Sequence, residues 1–236
     1  MLHFNKERAR RARMAWQAVL RKRNESTMIP APFSDRLAAL LARGQRTILG
    51  IAGPPGSGKS TFAAALLAHA QAQGLTQSVI LPMDGYHLAN AELARLGRAT
   101  RKGAEDTFDS AGYVHLLARL RQQQADEVIY APQFLREIEE AIAGSIAIPA
   151  DTRLIITEGN YLLLDRGHWA RVRPLLDEVW YVDVDPAVRL QRLIARHVQF
   201  GRSPAEAEAW VMNSDEINAA LIETTRSRAD QIVRRD

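Results

Sequence analysis

The octapeptide Gly53-Pro-Pro-Gly56-Ser57-Gly58-Lys59-Ser60 matches the phosphate-loop pattern G-x-x-x-x-G-K-[ST] at every fixed position. A turn that wraps a phosphate must aim successive backbone N–H groups inward, and glycine tolerates the backbone angles and close approach this demands. The helix expected from Ser60, with Thr61 in its first turn, adds unpaired N–H groups and a positive dipole end. Lys59 would then reach the β and γ phosphates of a nucleoside triphosphate, and Ser60 would place a hydroxyl on Mg²⁺. The competing reading is a Gly-rich turn ending in an ordinary helix. The context, directly after a strand and directly before a helix, favours the phosphate loop.

Two acids stand where such a loop needs partners. Asp84 follows the apolar run Ser78 to Met83, and Glu158 follows Leu154 to Thr157. Functional groups gather at the carboxyl ends of strands in an open parallel sheet, so both carboxylates are expected above Lys59 and Ser60. A carboxylate there can take a proton from an attacking hydroxyl or hold Mg²⁺, and two can divide the roles. Each also reads as a turn acid, before Gly85 and Gly159.

The elements that must position these groups are legible as alternating patterns. Apolar runs at Thr47 to Ala52, Ser78 to Met83, Leu154 to Thr157 and Val179 to Val184 fit strands buried on both faces. Helical patterns lie between them, at Ser60 to Gln73, Ser110 to Gln124 and Pro186 to Phe200, the first and last stopped by Gly74 and Gly201. Alternation of this kind predicts a parallel α/β sheet. The stretch from Val128 to Ile148 carries short strand-like pieces around a polar segment. Ile29-Pro-Ala-Pro32 reads as a linker, with Ser34 capping a short helix through Arg43.

The 236 residues suffice for one large domain or two small ones; 47% are hydrophobic and 25% charged, which excludes a disordered, collagen-like or disulfide-scaffold chain. With no Cys, thiolate metal sites and cysteine nucleophiles are excluded. No run is long enough to span a membrane and no signal-type core opens the chain, so a cytoplasmic location is expected. Residues 1 to 23 hold eight cations against Glu7 alone, a net +7, so the rest of the chain carries −3 within a total of +4. The division is therefore a basic extension over residues 1–27 and a single domain over 28–236. The extension reads as a solvated helix or as an arm for nucleic acid or an anionic surface.

Taken together, the phosphate loop, Met83-Asp84-Gly85-Tyr86-His87, Arg101-Lys102-Gly103 with Thr107-Phe108-Asp109, and Thr157-Glu158-Gly159-Asn160-Tyr161-Leu162-Leu163 resemble the superfamily of uridine kinase, bacterial pantothenate kinase and phosphoribulokinase. Within it the chain is most similar to the fructose transport system kinase-like, or nucleoside/nucleotide kinase-like, proteins, over roughly residues 28 to 230. The resemblance implies a P-loop NTPase fold: a three-layer α/β/α unit with a mainly parallel five-stranded sheet and an arginine-bearing helical lid. It implies Asp84 as general base and Glu158 in the Mg²⁺ shell, so Ser60, Asp84 and Glu158 form the candidate metal set. Arg192 and Arg196, four apart on one helix face, match the lid's paired arginines; a solvated basic helix is the alternative. Tyr86, His87, Arg101, Lys102, Arg136, Asn160 and Tyr161 are the candidate acceptor contacts.

Two positions depart from the pattern. Uridine kinases hold ribose hydroxyls with an Asp where the spacing here gives Gly103, so a plain nucleoside is disfavoured as acceptor. Arg101-Lys102 instead suits an acceptor carrying carboxylate or phosphate. Leu135 replaces the usual Asp of a Phe-Asp-Arg triplet, while Phe134 and Arg136 keep their places. Asn213, Asp215, Asn218 and Arg226 resemble a polar segment of the most similar proteins whose ligand the sequence does not name, and its expected place is the lid side or the adenine rim. Among six histidines without metal-ligand spacing, only His87 falls near the chemistry, and Trp169, Trp180 and Trp210 read as packing residues. The expectation is a Mg·ATP-dependent kinase acting on an alcohol of a small, anionic or polyhydroxylated metabolite. Nucleoside and pantothenate kinases are the near alternatives, and a hydrolytic switch or nucleic-acid-associated ATPase the distant one. Nucleic acid is disfavoured as a partner, and a homodimer is left open.

Overall fold

The structure, a computed structural model, describes residues 29–235; the basic extension and every reading placed on it lie outside the described residues. The central strand is β1 (Thr47–Ala52), whose six residues are all buried. Around it lie β2 (Ser78–Pro82), β5 (Leu154–Glu158), β6 (Glu178–Val184) and β7 (Gln231–Arg235), in the order β2-β5-β1-β6-β7. Every pairing in this sheet is parallel.

Continuous apolar runs are required here because helices cover both faces. Side chains alternate across the sheet, and the core divides accordingly. Leu49, Ile51, Ile156, Trp180 and Val182 meet Phe62 and Leu66 of α2 (Lys59–Ala72) and Leu37 and Leu40 of α1 (Ala31–Leu41). Ile48, Ala52, Ile155, Val179 and Tyr181 meet Tyr113 and Leu117 of α4 (Ser110–Arg121) and the segment around Leu162 and Trp169. This is the three-layer α/β/α arrangement that the resemblance implied.

Three differences from the sequence reading have physical causes. Helix α1 begins at Ala31, capped by Pro30, and Ser34 lies inside it with its Oγ donating to the Ala31 carbonyl at 2.9 Å. A proline in the first turn loses no helical N–H partner, so the segment taken for a linker opens the helix. The fifth strand, β7, pairs with β6 at the sheet edge and was not placed from sequence, because only Ile232 and Val233 mark it. The stretch 128–149 forms an antiparallel hairpin of its own, β3 (Val128–Leu135) with β4 (Glu140–Pro149). Its pairing shifts between Ala131 and Gln133, at Pro132, which has no N–H to give the ladder.

Beyond β6, Asp185 caps α5 (Pro186–Gln199) and Ser203 and Glu206 form a capping box on α6 (Pro204–Trp210). A wide turn of π-helix, Val211–Asp215, then leads into α7 (Glu216–Glu223). A short helix α3 (Asn90–Arg95) completes the set near the hairpin. No helix among the described residues is long and apolar enough to cross a membrane.

Candidate active site

Between β1 and α2 the chain turns tightly over residues 53–58. Gly53 and Gly56 have φ of 145° and 77°. A Cβ on Gly53 would stand 2.7 Å from the Val182 carbonyl oxygen, and one on Gly56 2.7 Å from Leu193 Cγ. Glycine is thus required by both backbone angle and space, and the second contact seats the loop against α5. Gly58 supplies a left-handed N-cap for α2. Ser57 is fully buried and its Oγ has no hydrogen-bond partner among the described residues.

Strand register brings the acids to this loop. Glu158 pairs with Ile51 on one side and Pro82 on the other, so the ends of β5 and β2 align beside the end of β1. Ser60 Oγ donates to Glu158 Oε1 at 3.1 Å, and the buried Lys59 Nζ donates to the Pro54 carbonyl at 2.9 Å. Asp84 lies two residues past Pro82 in a 3₁₀ turn, Met83–Tyr86, pressed so closely on the hairpin that a Cβ on Gly85 would stand 2.3 Å from the Pro132 oxygen. Arg136, just after β3, places its guanidinium 3.4 Å from Asp84 Oδ2. His87 Nδ1 donates to the Asp84 carbonyl at 2.8 Å, and the ring packs against Phe108 and Phe134.

These groups line one cavity of about 650 Å³. Gly56, Gly58, Lys59, Ser60 and Thr61 form its phosphate-loop side. Asp84, His87, Lys102, Arg136, Glu158 and Asn160 line it as well, and α5 contributes Arg192 and Arg196. Five candidates lie elsewhere. Gly53 and Ser57 are inside the loop's packing. Tyr86 packs edge-on against Tyr113. Tyr161 is fully buried and its hydroxyl donates to the Gly103 carbonyl at 2.7 Å, so it braces a cavity-lining backbone. Arg101 pairs through both guanidinium nitrogens with Asp106. Of the wall expected from Tyr86, Arg101, Arg136 and Tyr161, only Arg136 lines the cavity. Leu135 stays outside it, whereas its neighbours Phe134 and Arg136 line it.

Burial governs the electrostatics. It pushes the Lys59 ammonium down to about 8, against the pull of Glu158 and Asp84. It lifts the Glu158 carboxyl to about 6, with Asp84 adding to the rise and Lys59 opposing it. His87 is held below the usual histidine value by burial, so its Nε2 is left as an acceptor. The guanidinium of Arg196 is lowered by burial and by Arg136 nearby. No cluster of three or more His, Asp or Glu capable of holding a metal occurs among the described residues. Ser60 Oγ and Glu158 Oε1 nevertheless offer the hard oxygen donors that Mg²⁺ takes beside nucleotide phosphates.

Several lining residues escaped the sequence reading. Glu139 and Asn90 hold Lys102, whose Nζ donates to Asn90 Oδ1 at 2.6 Å and to the Glu139 carbonyl. Trp210, expected in packing, faces the cavity with the Arg202 guanidinium 3.9 Å from its ring centroid. His197, dismissed as scattered, also lines it and bonds Asp215. The one sequence signal for His197 is its place directly after Arg196 on α5.

The sequence profile of the Phosphoribulokinase / Uridine kinase family matches residues 48–236. The ATP-dependent kinase-like protein notR′ of Aspergillus versicolor is 40% identical over 159 residues, 64% of this chain and 92% of that protein. A provisionally named uridine kinase of Schizosaccharomyces pombe is 35% identical over 207 residues, 84% of this chain and 87% of its own. Among solved structures, one from Silicibacter sp. TM1040, provisionally named a fructose transport system kinase, superposes with a TM-score of 0.73 at 33% identity, covering 91% of this chain and 97% of that one. The loop, the aligned acids and these likenesses agree: the chain belongs to the phosphoribulokinase / uridine kinase family and is a kinase.

Proposed function

We propose that the enzyme transfers the γ-phosphoryl group of ATP to an alcohol of a small metabolite that carries an anion and several hydroxyls. The observation that carries this reading is the convergence of Asp84, Arg136, Arg192 and Arg196 on the cavity that the phosphate loop closes. A phosphoryl transfer needs little covalent chemistry from the protein; it needs positioning and cations on the transferring group. Asp84 takes the proton of the acceptor hydroxyl as its oxygen bonds to the γ-phosphorus and the bridge to ADP breaks. Lys59, turned from Pro54 toward the phosphates, and the lid arginines Arg192 and Arg196 stabilise the charge that moves onto the leaving oxygen. Ser60 and Glu158 would hold Mg²⁺, which neutralises phosphate charge when bound; Asp84 is the nearest further carboxylate for that shell.

On the acceptor side, Lys102 and Arg136 supply cations, and His87 and Asn160 supply neutral polar groups. Gly103 lines the same space with no side chain for a ribose diol. Arg101, engaged by Asp106, is left out of this set. The kinase unit is taken to span residues 28–236, since Phe33 of α1 already packs on Phe62 and Trp180. The test is an ATP-consumption screen across sugars, polyols, hydroxy acids, nucleosides and vitamin precursors. Acceptor-dependent turnover with acids is the expected result; ATP hydrolysis indifferent to every acceptor would overturn the reading.

A further inference from the structure

The wide turn between α6 and α7 has a geometric effect on the cavity. In a π turn the bonds run from residue i to i+5, so residues five apart stack as residues four apart do in an α-helix. Trp210 and Asp215 are five apart, and both line the cavity. Asn218 follows three residues later on the same face and lines it too. His197 Nε2 bonds Asp215 Oδ2 at 2.8 Å, which fixes the carboxylate beside Asn218. Asn218 itself is 7% exposed, and no hydrogen bond engages its side-chain carboxamide among the described residues. What remains exposed of Asn218 faces the cavity it lines, so its carboxamide is open to a ligand there, with a donor and an acceptor both to offer.

The neighbourhood says which ligand that is. Asp215 and Asn218 line the same cavity as Asp84, Arg136 and Arg196, so this wall shares its space with the proposed base as well as with the phosphate loop. We propose that Asn218 is the residue that selects the acceptor, by hydrogen-bonding a hydroxyl on a carbon other than the one phosphorylated. This rests on the reading of Asp84 as the acceptor's base. A carboxamide both donates and accepts, which matches a hydroxyl and brings no charge of its own. With Lys102 and Arg136 reading an anion, the acceptor has three features: a hydroxyl at Asp84, an anion at the cations and a further hydroxyl at Asn218. It is a polyhydroxylated acid.

The experiment compares the full-length enzyme with N218A and N218D, using aldonic acids of three to six carbons, their deoxy counterparts, a neutral pentitol and uridine as acceptors. Removing one hydrogen-bonding partner from a site built for it should lower kcat/KM for the hydroxylated member of the preferred pair by about 10- to 100-fold, chiefly through KM. The deoxy member should change by less than about threefold, since it never used the carboxamide. ATP affinity and melting temperature should hold. N218D, equal in size, should weaken acids further than N218A and so exclude a loss by cavity formation alone. Equal losses on both members of a pair, or a loss confined to the KM for ATP, overturns the assignment of Asn218. If the pentitol or uridine is preferred and N218A still erases discrimination between hydroxylated and deoxy forms, Asn218 stands and the anionic reading falls. Turnover of none of these probes overturns both.

Discussion

The two sides of the cavity are built differently. The phosphate side is one continuous segment, from β1 through the loop into α2, locked by glycines whose neighbours leave no room for a side chain. The side proposed for the acceptor is assembled from the turn at Asp84, the residues around Lys102, the hairpin end at Arg136 and Glu139, and the helices α5 to α7. Its contacts are ion pairs and hydrogen bonds between distant segments, such as Arg136 with Asp84 and Lys102 with Asn90. A site made of one segment takes its shape chiefly from local backbone angles. A site made of several can change its acceptor by altering one wall while the donor side stays intact.

The sharpest way to break this contrast is Asp84→Asn. General-base contributions put the expected loss of transfer at roughly 10²- to 10⁴-fold, with ATP affinity spared. Loss of nucleotide binding with the rate retained would move Asp84 to the donor side. Lys59→Ala should lower turnover by about 10²- to 10³-fold with the fold intact, because it removes a cation aimed at developing phosphate charge. Single-turnover kinetics and circular dichroism together check it, and undiminished turnover would remove the phosphate-loop assignment.

Arginines 101 and 136 sharpen the comparison, since the sequence treats them alike and the structure does not. Arg136→Ala should raise the acceptor KM by about tenfold or more, as expected for loss of a charge-assisted contact. Arg101→Ala should stay within about threefold, its partner being a partly exposed Asp106, an ion pair of small net value. Acceptor KM values measured at fixed saturating ATP decide between them.

The smallest effect is on stability. Glu158 binds its proton more tightly when folded, near 6 against an ordinary 4.5, so the carboxyl destabilises the folded state as pH rises through that window. The cost is complete above about pH 6 and absent below about pH 4.5. Glu158→Gln should therefore stabilise the nucleotide-free protein at pH 7 by about 2 kcal/mol, or about 4 to 8 °C in melting temperature, and lose the gain in acid. Equal melting temperatures at pH 7 would mean that Lys59 offsets the buried charge fully.

Periodicity found β1, β2, β5 and β6 because a strand covered on both faces must be apolar throughout, and that rule is local. It missed β7 because only Ile232 and Val233 are apolar there, too short a signal, whereas β2 at the opposite edge carries the longer run Val79-Ile80-Leu81. It left the hairpin vague because Pro132 interrupts the alternation where the ladder shifts. At the site, Asp84 and Glu158 could be placed from their positions at strand ends, while Tyr161 and Arg101 were named through the motifs that carry the resemblance. Tyr161 turned inward to brace Gly103 and Arg101 turned to Asp106, choices that no spacing encodes.

By itself the sequence determined the phosphate loop of this kinase, with its lysine and serine, because phosphate binding is done by consecutive backbone N–H groups whose geometry consecutive residues set; the two acids were legible separately, from their places at strand ends. Only the tertiary structure decided which polar groups share the cavity with that loop. That choice depends on where the hairpin end and a π turn carry Arg136, Trp210, Asp215 and Asn218 relative to Asp84, and such distances arise from packing between segments far apart in the chain.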